Sequence, residues 1–335
     1  MIWVFAVKFD GRRRARCVAG GHVTPNLTDD LYAGVVNLET VRIAFLAAEL
    51  FDLDIIAADV SSAYIQAFTP EKVFVKAGPE FGKNEGRYMI VVRALYGLKS
   101  SGAMWHRKLA ENLRDMGFRP SKADYDLWMR QRQYHWEYVA VIVDDLLLFS
   151  KEPTTIIEPL KKVYQYGLKG VSTPEYYNGA DMTYDTEFKC WTMSVKTYVK
   201  NVCDRISKLL EVVLKNHASP MNEGDHPESD DTDLLFGNDI SLYQMLIGCA
   251  QWAVTLGRFD VQYATNTLAR YASMPRKGHF DRCLRLFGYL QHNPKGRIKF
   301  DSSDPNLTGV IFKNMIGRMS TQTQQSLYHP ALQNR

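Results

Sequence analysis

The sequence predicts an α+β chain with a helical C-terminal part, and three observations carry that prediction. Short β-branched runs, such as residues 55–58 and 139–149, read as buried strands. Large apolar residues recur at helical spacing, most clearly at Trp105, Leu109, Leu113 and Met116. The last third then changes character, with an acidic stretch followed by helical patterns at residues 242–256 and 280–290.

Taken in order, the first element is a hairpin. An apolar run at residues 3–7 meets a turn at Asp10-Gly11 and returns through residues 16–19. Asn37 stands at an N-cap position, and Val41, Phe45, Ala48 and Phe51 follow at helical spacing. A buried strand at residues 55–58 closes on Asp59, and short strands are expected at 72–76 and 88–93. The Trp105 helix has Gly117 where a helix stops. Residues 138–149 form the most apolar span, broken only by Asp144-Asp145. Residues 216–239 hold seven acids, no Lys or Arg, and two prolines, which reads as a solvated linker. Residues 258–299 carry nine basic residues against two acids. The tail after Asp304 is polar, Gln-rich and aperiodic, and is expected to fray; there is no internal repeat.

Composition narrows the function classes. The 335 residues are 46% hydrophobic and 23% charged, an ordinary globular balance that suits about two domains. The net charge of +4 is unevenly placed. Lys8, Arg12, Arg13, Arg14 and Arg16 face only Asp10 within the first 22 residues, and the rest of the chain balances. No apolar stretch approaches the roughly 18 residues of a membrane helix, so no membrane partner is expected. The apolar start is too short for a signal peptide. Five scattered cysteines, odd in number and without a CxxC pair, argue for a reducing intracellular setting and against zinc. The Asn-x-Thr triplets at Asn26 and Asn306 are then chance matches. Residues 78–84 mimic a P-loop, but with one residue too few between the glycines and Asn84 where Ser or Thr belongs.

The feature that most needs explaining is Asp144-Asp145 inside an apolar run. Burying an unpaired carboxylate is costly, and two neighbours repel. One reading is a hairpin with both acids exposed at its tip. The other places them at a strand–turn–strand holding divalent metal ions, with Asp59 from a second strand as third carboxylate. Hard oxygen ligands suit Mg²⁺, and two such ions stabilise attacking and leaving oxygens in phosphoryl transfer. Tyr64, five residues past Asp59, then packs on a nucleotide sugar, unless it is an ordinary core tyrosine. Residues 12–16 offer arginines whose guanidinium forks suit a triphosphate; a solvated hairpin face explains them equally. His279 and Cys283 share a helix face without further ligands and read as packing.

These segments, in this order, resemble the reverse transcriptase of copia-type long-terminal-repeat retrotransposons, part of a Gag-Pol polyprotein. The similarity runs from about residue 3 to residue 300. Arg14-Ala15-Arg16-Cys17-Val18-Ala19-Gly20-Gly21 resembles the family's fingers segment, and Asp59 to Tyr64 its first catalytic motif. Ala94-Leu95-Tyr96-Gly97-Leu98-Lys99 is similar to its Ala-Leu-Tyr-Gly-Leu-Lys signature, and Val143-Asp144-Asp145 to its catalytic hairpin. Leu168-Lys169-Gly170, Tyr176-Tyr177-Asn178-Gly179, Tyr243-Gln244, Arg258-Phe259-Asp260 and Tyr289-Leu290 resemble later motifs.

The resemblance implies a right-hand polymerase with an antiparallel palm sheet. Residues 1–215 would be fingers and palm, 216–240 an acidic linker, 241–300 a helical thumb or connection-like region, and 301–335 a frayed tail. It implies RNA-directed DNA polymerase activity, with Asp59, Asp144 and Asp145 as catalytic ligands of two Mg²⁺ ions, or of Mn²⁺, and Val60 offering a carbonyl. By the same carry-over Arg14 and Arg16 contact the incoming triphosphate and Tyr64 discriminates deoxyribose from ribose. Gly97 lets the backbone approach the nascent pair, and Lys169 assists the departing pyrophosphate. Expected partners are an RNA or DNA template with primer and deoxynucleoside triphosphates. The expected location is the cytoplasm, within a virus-like particle for an intact element. Ile142 replaces the family's usual tyrosine, Gly102 stands where proline is common, and no ribonuclease H region is recognisable. The rival expectation is therefore a non-catalytic remnant that keeps the fold and nonspecific nucleic-acid affinity. A palm-type nucleotidyl cyclase would share the Asp-Asp hairpin but leaves residues 94–99 unexplained.

Overall fold

A computed structural model of the chain describes residues 2–7, 13–21, 24 and 31–303. The expected Asp10-Gly11 turn, Arg12 and the tail from residue 304 lie outside the described residues. The backbone forms two compact units that divide at Thr173/Pro174.

In the first unit, β1 (Ile2–Val7) and β2 (Arg13–Val18) make an antiparallel hairpin. Helix α1 (Leu38–Phe51) leads into β3 (Asp54–Val60), the strand that ends at the first acid. A second small hairpin, β4 (Phe74–Lys76) and β5 (Tyr88–Ile90), precedes α2 (Ser101–Asp115). Then come β6 (Arg119–Pro120), β7 (Leu127–Gln131), β8 (Trp136–Ile142), β9 (Asp145–Ser150), α3 (Thr154–Lys162) and β10 (Leu168–Ser172). Strands β10-β3-β9-β8-β7-β6 form one sheet in that order, with antiparallel neighbours throughout.

Both faces of this sheet are covered, which explains why β8 and β9 read as continuous apolar runs rather than alternating ones. Val139, Val141, Leu146 and Leu148 pack with Trp105, Leu109 and Leu113 of α2 and with Ile156 and Leu160 of α3. On β9 the neighbouring residue Phe149 meets Phe45 of α1 edge-to-face at 5.5 Å. Helix α2 has the expected stripe, and Gly117 adopts φ +88 just beyond its end. Asn37 is the residue before α1, but its amide does not cap that helix. Its backbone and side-chain nitrogens donate instead to Asp124 Oδ2, at 2.9 and 3.0 Å.

The second unit holds β11 (Tyr176–Tyr177), β12 (Ala180–Asp185), β13 (Cys190–Ser194) and, far along the chain, β14 (Arg297–Lys299) in one antiparallel sheet. Its helices are α4 (Lys196–Leu210), α5 (Asn238–Thr255), α6 (Gln262–Ala269) and α7 (Lys277–His292). No described helix is long and apolar enough to cross a membrane.

The compact units divide at residue 173, with β11–β13 and α4 gathered with the later helices. The acidic stretch is not a solvated spacer between units. It lies within the second unit and packs along α7: Arg282 pairs with Asp225 at 2.9 Å and Asp230 at 2.5 Å, and Lys277 with Asp233 at 2.7 Å. The partners of these acids lie about 45 to 57 residues downstream, beyond any local window.

At the sheet end away from the turn at residues 143–144, Glu137 is buried yet charged. Ser150 Oγ donates to it at 2.7 Å, and Arg130 and Arg132 pair with it at 2.7 and 2.9 Å. Burial pushes its carboxyl up, but these bonds outweigh that and hold it below the usual glutamate range. Removing one partner of a buried pair strands the other. Glu137→Ala is therefore expected to destabilise this unit by about 3 to 5 kcal/mol in urea unfolding at pH 7. A depressed carboxyl gives its stability at higher pH, so the deficit should narrow as pH falls below the ordinary glutamate range.

Candidate functional site

The site is built by the register of one strand pair. β3 runs antiparallel to β9 with Asp59 directly opposite Asp145. Ile142 pairs with Asp145 across β8 and β9, so Val143-Asp144 is a two-residue hairpin loop. The Val60 amide donates to the Asp144 carbonyl at 2.8 Å and ties the loop to the end of β3. Asp59, Asp144 and Asp145 thereby converge, each with a carboxylate oxygen within 4.8 Å of the others.

Like charges directly opposite on a sheet are destabilising, and a third acid adds to the repulsion. The protonation equilibria record the strain. Asp145 is exposed as a residue, but its carboxyl is partly desolvated and crowded by Asp144 and then Asp59, which push it up to about 6. Burial also raises Asp144, and Asp59 adds to that, while Arg14 and Arg16 pull in the opposite direction. Three hard oxygen donors at this spacing, with unbalanced negative charge, fit a divalent cation.

The loop itself is strained. Val143 has φ +55, and Asp144 does not have positive φ, the pattern of a type II′ turn. That turn favours glycine at its first central position, and a β-branched residue there costs on the order of 1–3 kcal/mol. The surroundings hold it: the Trp105 indole N–H donates to the Val143 carbonyl at 2.6 Å.

The remaining expected residues are placed as follows. Val60 is fully buried at the end of β3. Lys169 on β10 sits opposite Asp59 in register, so Asp59 has an acid on one neighbouring strand and a cation on the other. Arg14 and Arg16 alternate along β2 and act electrostatically on Asp144. Tyr64 lies on a short 3₁₀ turn (Ala63–Gln66) directly after β3; burial, then Tyr96 and Asp144, raise its phenol. Gly97 has φ +92, and a Cβ there would lie 2.1 Å from the Ala19 carbonyl oxygen. A Cβ on Gly21 would likewise lie 1.8 Å from the Gly97 carbonyl oxygen. These glycines let the backbone at the end of β2 approach closely, with the Ala19 amide donating to the Tyr96 carbonyl at 2.7 Å.

Two residues are more than the sequence suggested. Tyr96, read only as part of a motif, packs against Tyr64 in a tilted ring pair with centroids 4.8 Å apart and carries the Arg16 guanidinium over its ring at 5.1 Å. Trp105, read only as a core stripe, also reaches the hairpin. A buried indole N–H needs an acceptor, and that requirement was the available signal.

Comparison with known proteins supplies the lineage. A family model described as "Reverse transcriptase (RNA-dependent DNA polymerase)" matches residues 1–214. The chain is 27% identical to a Retrovirus-related Pol polyprotein from transposon RE1 of Arabidopsis thaliana, over 88% of this chain and 20% of that protein. It is 22% identical to the corresponding polyprotein from transposon TNT 1-94 of Nicotiana tabacum, over 97% and 26%. A Transposon Ty1-NL2 Gag-Pol polyprotein of Saccharomyces cerevisiae is 26% identical over 86% and 17%. The chain thus spans about a fifth of the length of these curated relatives. Among solved structures, a foamy viral protease–reverse transcriptase in complex with double-stranded DNA matches 86% of this chain and 43% of its own, at 13% identity and TM-score 0.40. With the family model covering well over half its length, the chain belongs to the reverse transcriptase family, in its copia-type branch.

Proposed function

We propose that the chain acts as an RNA-directed DNA polymerase, transferring deoxynucleotides to a primer 3′-hydroxyl under the direction of an RNA or DNA template. The observation that carries this reading is the convergence of Asp59, Asp144 and Asp145 at one sheet end, with Arg14 and Arg16 of the docked hairpin in electrostatic reach of Asp144. On this reading the six-stranded sheet is the palm, the β1–β2 and β4–β5 hairpins belong to the fingers, and α5–α7 form a thumb or connection-like region. The setting is intracellular, within a particle for an intact element.

Asp59, Asp144 and Asp145 would hold two Mg²⁺ ions, or Mn²⁺, with the Val60 carbonyl as a further oxygen. When bound, such ions neutralise developing charge on the transferring phosphate and stabilise both entering and leaving oxygens. The chain's own groups do the rest. Arg14 and Arg16 bind and orient the triphosphate through forked hydrogen bonds. The Tyr64 ring, braced by Tyr96, occupies the space a ribose 2′-hydroxyl requires. Lys169, beside Asp59, holds a proton near the departing pyrophosphate. Gly97 leaves room for the nascent base pair, and Ile142 lines the hairpin without the phenol common in this family.

The direct test is primer extension on an RNA template with Mg²⁺. An Asp144→Ala/Asp145→Ala double variant is expected to lose at least about a thousandfold in rate while still binding primer–template. Undiminished extension by that variant sinks the assignment. Salt-dependent binding by the wild-type chain without extension, across Mg²⁺ and Mn²⁺, favours the non-catalytic remnant instead.

Asp145 gives a second test with a definite sign. Its folded-state value, about 6, lies above the ordinary aspartate value of 3.8, so the folded chain binds more protons between them. The contribution of Asp145 to metal-free stability should therefore fall as pH rises from about 4 to 6, read as the difference between wild type and Asp145→Asn. Asp145→Asn should raise the metal-free Tm at pH 7.5, and Mg²⁺ should stabilise wild type more than this variant. An Asp145→Asn advantage that does not grow as pH rises through this window contradicts the electrostatic account.

A further inference from the structure

The packing stripe of α2 contains one residue whose polar atom is aimed at the site. Trp105 is 1% exposed, and its ring sits among Leu109, Val141 and Leu146. Its indole edge meets Tyr166 at 5.4 Å, and Asn112 donates to the Tyr166 hydroxyl from one turn beyond Leu109. The ring is therefore held by its packing and by Tyr166. Its N–H donates to the Val143 carbonyl at 2.6 Å.

Val143 is the residue that needs holding. Its φ of +55 suits glycine, and the two-residue loop it begins carries Asp144 and leads into Asp145. On the other side of the loop the Val60 amide holds the Asp144 carbonyl. Each peptide of the turn is thus anchored from a different element: Val143 from α2, Asp144 from β3. Without the α2 anchor, valine loses the contact that opposes its preference for an extended backbone.

We propose that Trp105 is a positioning residue: its indole N–H clamps the Val143 carbonyl and so keeps a valine-containing type II′ turn in the form that presents Asp144 and Asp145. A packing role alone accounts for a large apolar ring at this position. It does not account for a buried donor directed at the strained peptide of the catalytic turn. The inference rests on Asp144 and Asp145 being the working carboxylates, but its structural readout is independent of polymerisation.

Amide hydrogen exchange of the full chain tests it, read in peptides covering residues 138–148 without metal or nucleotide. Trp105→Phe keeps an aromatic ring and removes the donor, and should speed exchange around the turn by about tenfold. Tyr166→Phe removes the Asn112 partner and leaves the indole donor, so it should leave turn exchange within about twofold of wild type. Adding Val143→Gly to Trp105→Phe should restore protection, since glycine adopts positive φ without a clamp. If Trp105→Phe does not fold, β-(3-benzothienyl)alanine at position 105, isosteric but lacking the N–H, gives the same reading. In primer extension the Trp105 variant should lower kcat about tenfold with the deoxynucleotide KM within about twofold. Wild-type exchange rates at the turn in the donor-less variant, equal acceleration by Tyr166→Phe, or no recovery with Val143→Gly would each overturn the proposal. A wild-type chain that fails to extend primers ends the polymerase reading and leaves the exchange result standing.

Discussion

The cross-strand pairing of Asp59 with Asp145 is the constraint on which the rest of the site depends. A sheet gains nothing from opposed carboxylates, and a slip of one residue would send one of them to the other face. The register is held by what lies below it: Ala58 against Leu146, Ala57 against Leu147, and the paired apolar residues down to Ser150. Helices α1, α2 and α3 cover both faces, and Ile55, Ala58 and residues 146–149 are specified by burial. The apolar core thus fixes a repulsive arrangement at its rim, and the repulsion is what suits that rim to cations.

The side of the site proposed to meet the nucleotide is assembled differently. Asp59, Asp144 and Asp145 sit on strands and a tight turn, while Arg14 and Arg16 arrive on a hairpin that docks through backbone. Gly21 and Gly97 approach within a distance no side chain allows, and the Tyr96 carbonyl accepts from Ala19. Tyr96 then serves both partners, packing tilted against Tyr64 and lying beneath Arg16. One residue therefore links the group proposed to sense the sugar to one proposed to grip the phosphates.

Much of this was legible in the sequence because it is local. The Trp105 stripe, the strand closing on Asp59, and the acids interrupting an apolar run all signal through near neighbours. The α+β class and the convergence of the three acids followed from such patterns together with motif order. What was not legible depends on distant partners. Asp225 and Asp230 read as solvated because Arg282 is more than fifty residues away. Asn37 read as a helix cap because its tie to Asp124 spans 87 residues. The short strands β11–β13 lack strong patterns of their own and join a sheet completed only by β14, far along the chain. Trp105 was read correctly as core and incompletely as a donor, because periodicity reports which face a side chain takes and not where its polar atom points.

The central claim is that Asp59, Asp144 and Asp145 form one metal-binding centre. Anomalous diffraction from crystals grown with Mn²⁺ and a primer–template tests it most directly. The account predicts manganese peaks within about 2 Å of carboxylate oxygens from all three aspartates. Manganese bound elsewhere, or a peak at the hairpin acids that Asp59 does not touch, would contradict it.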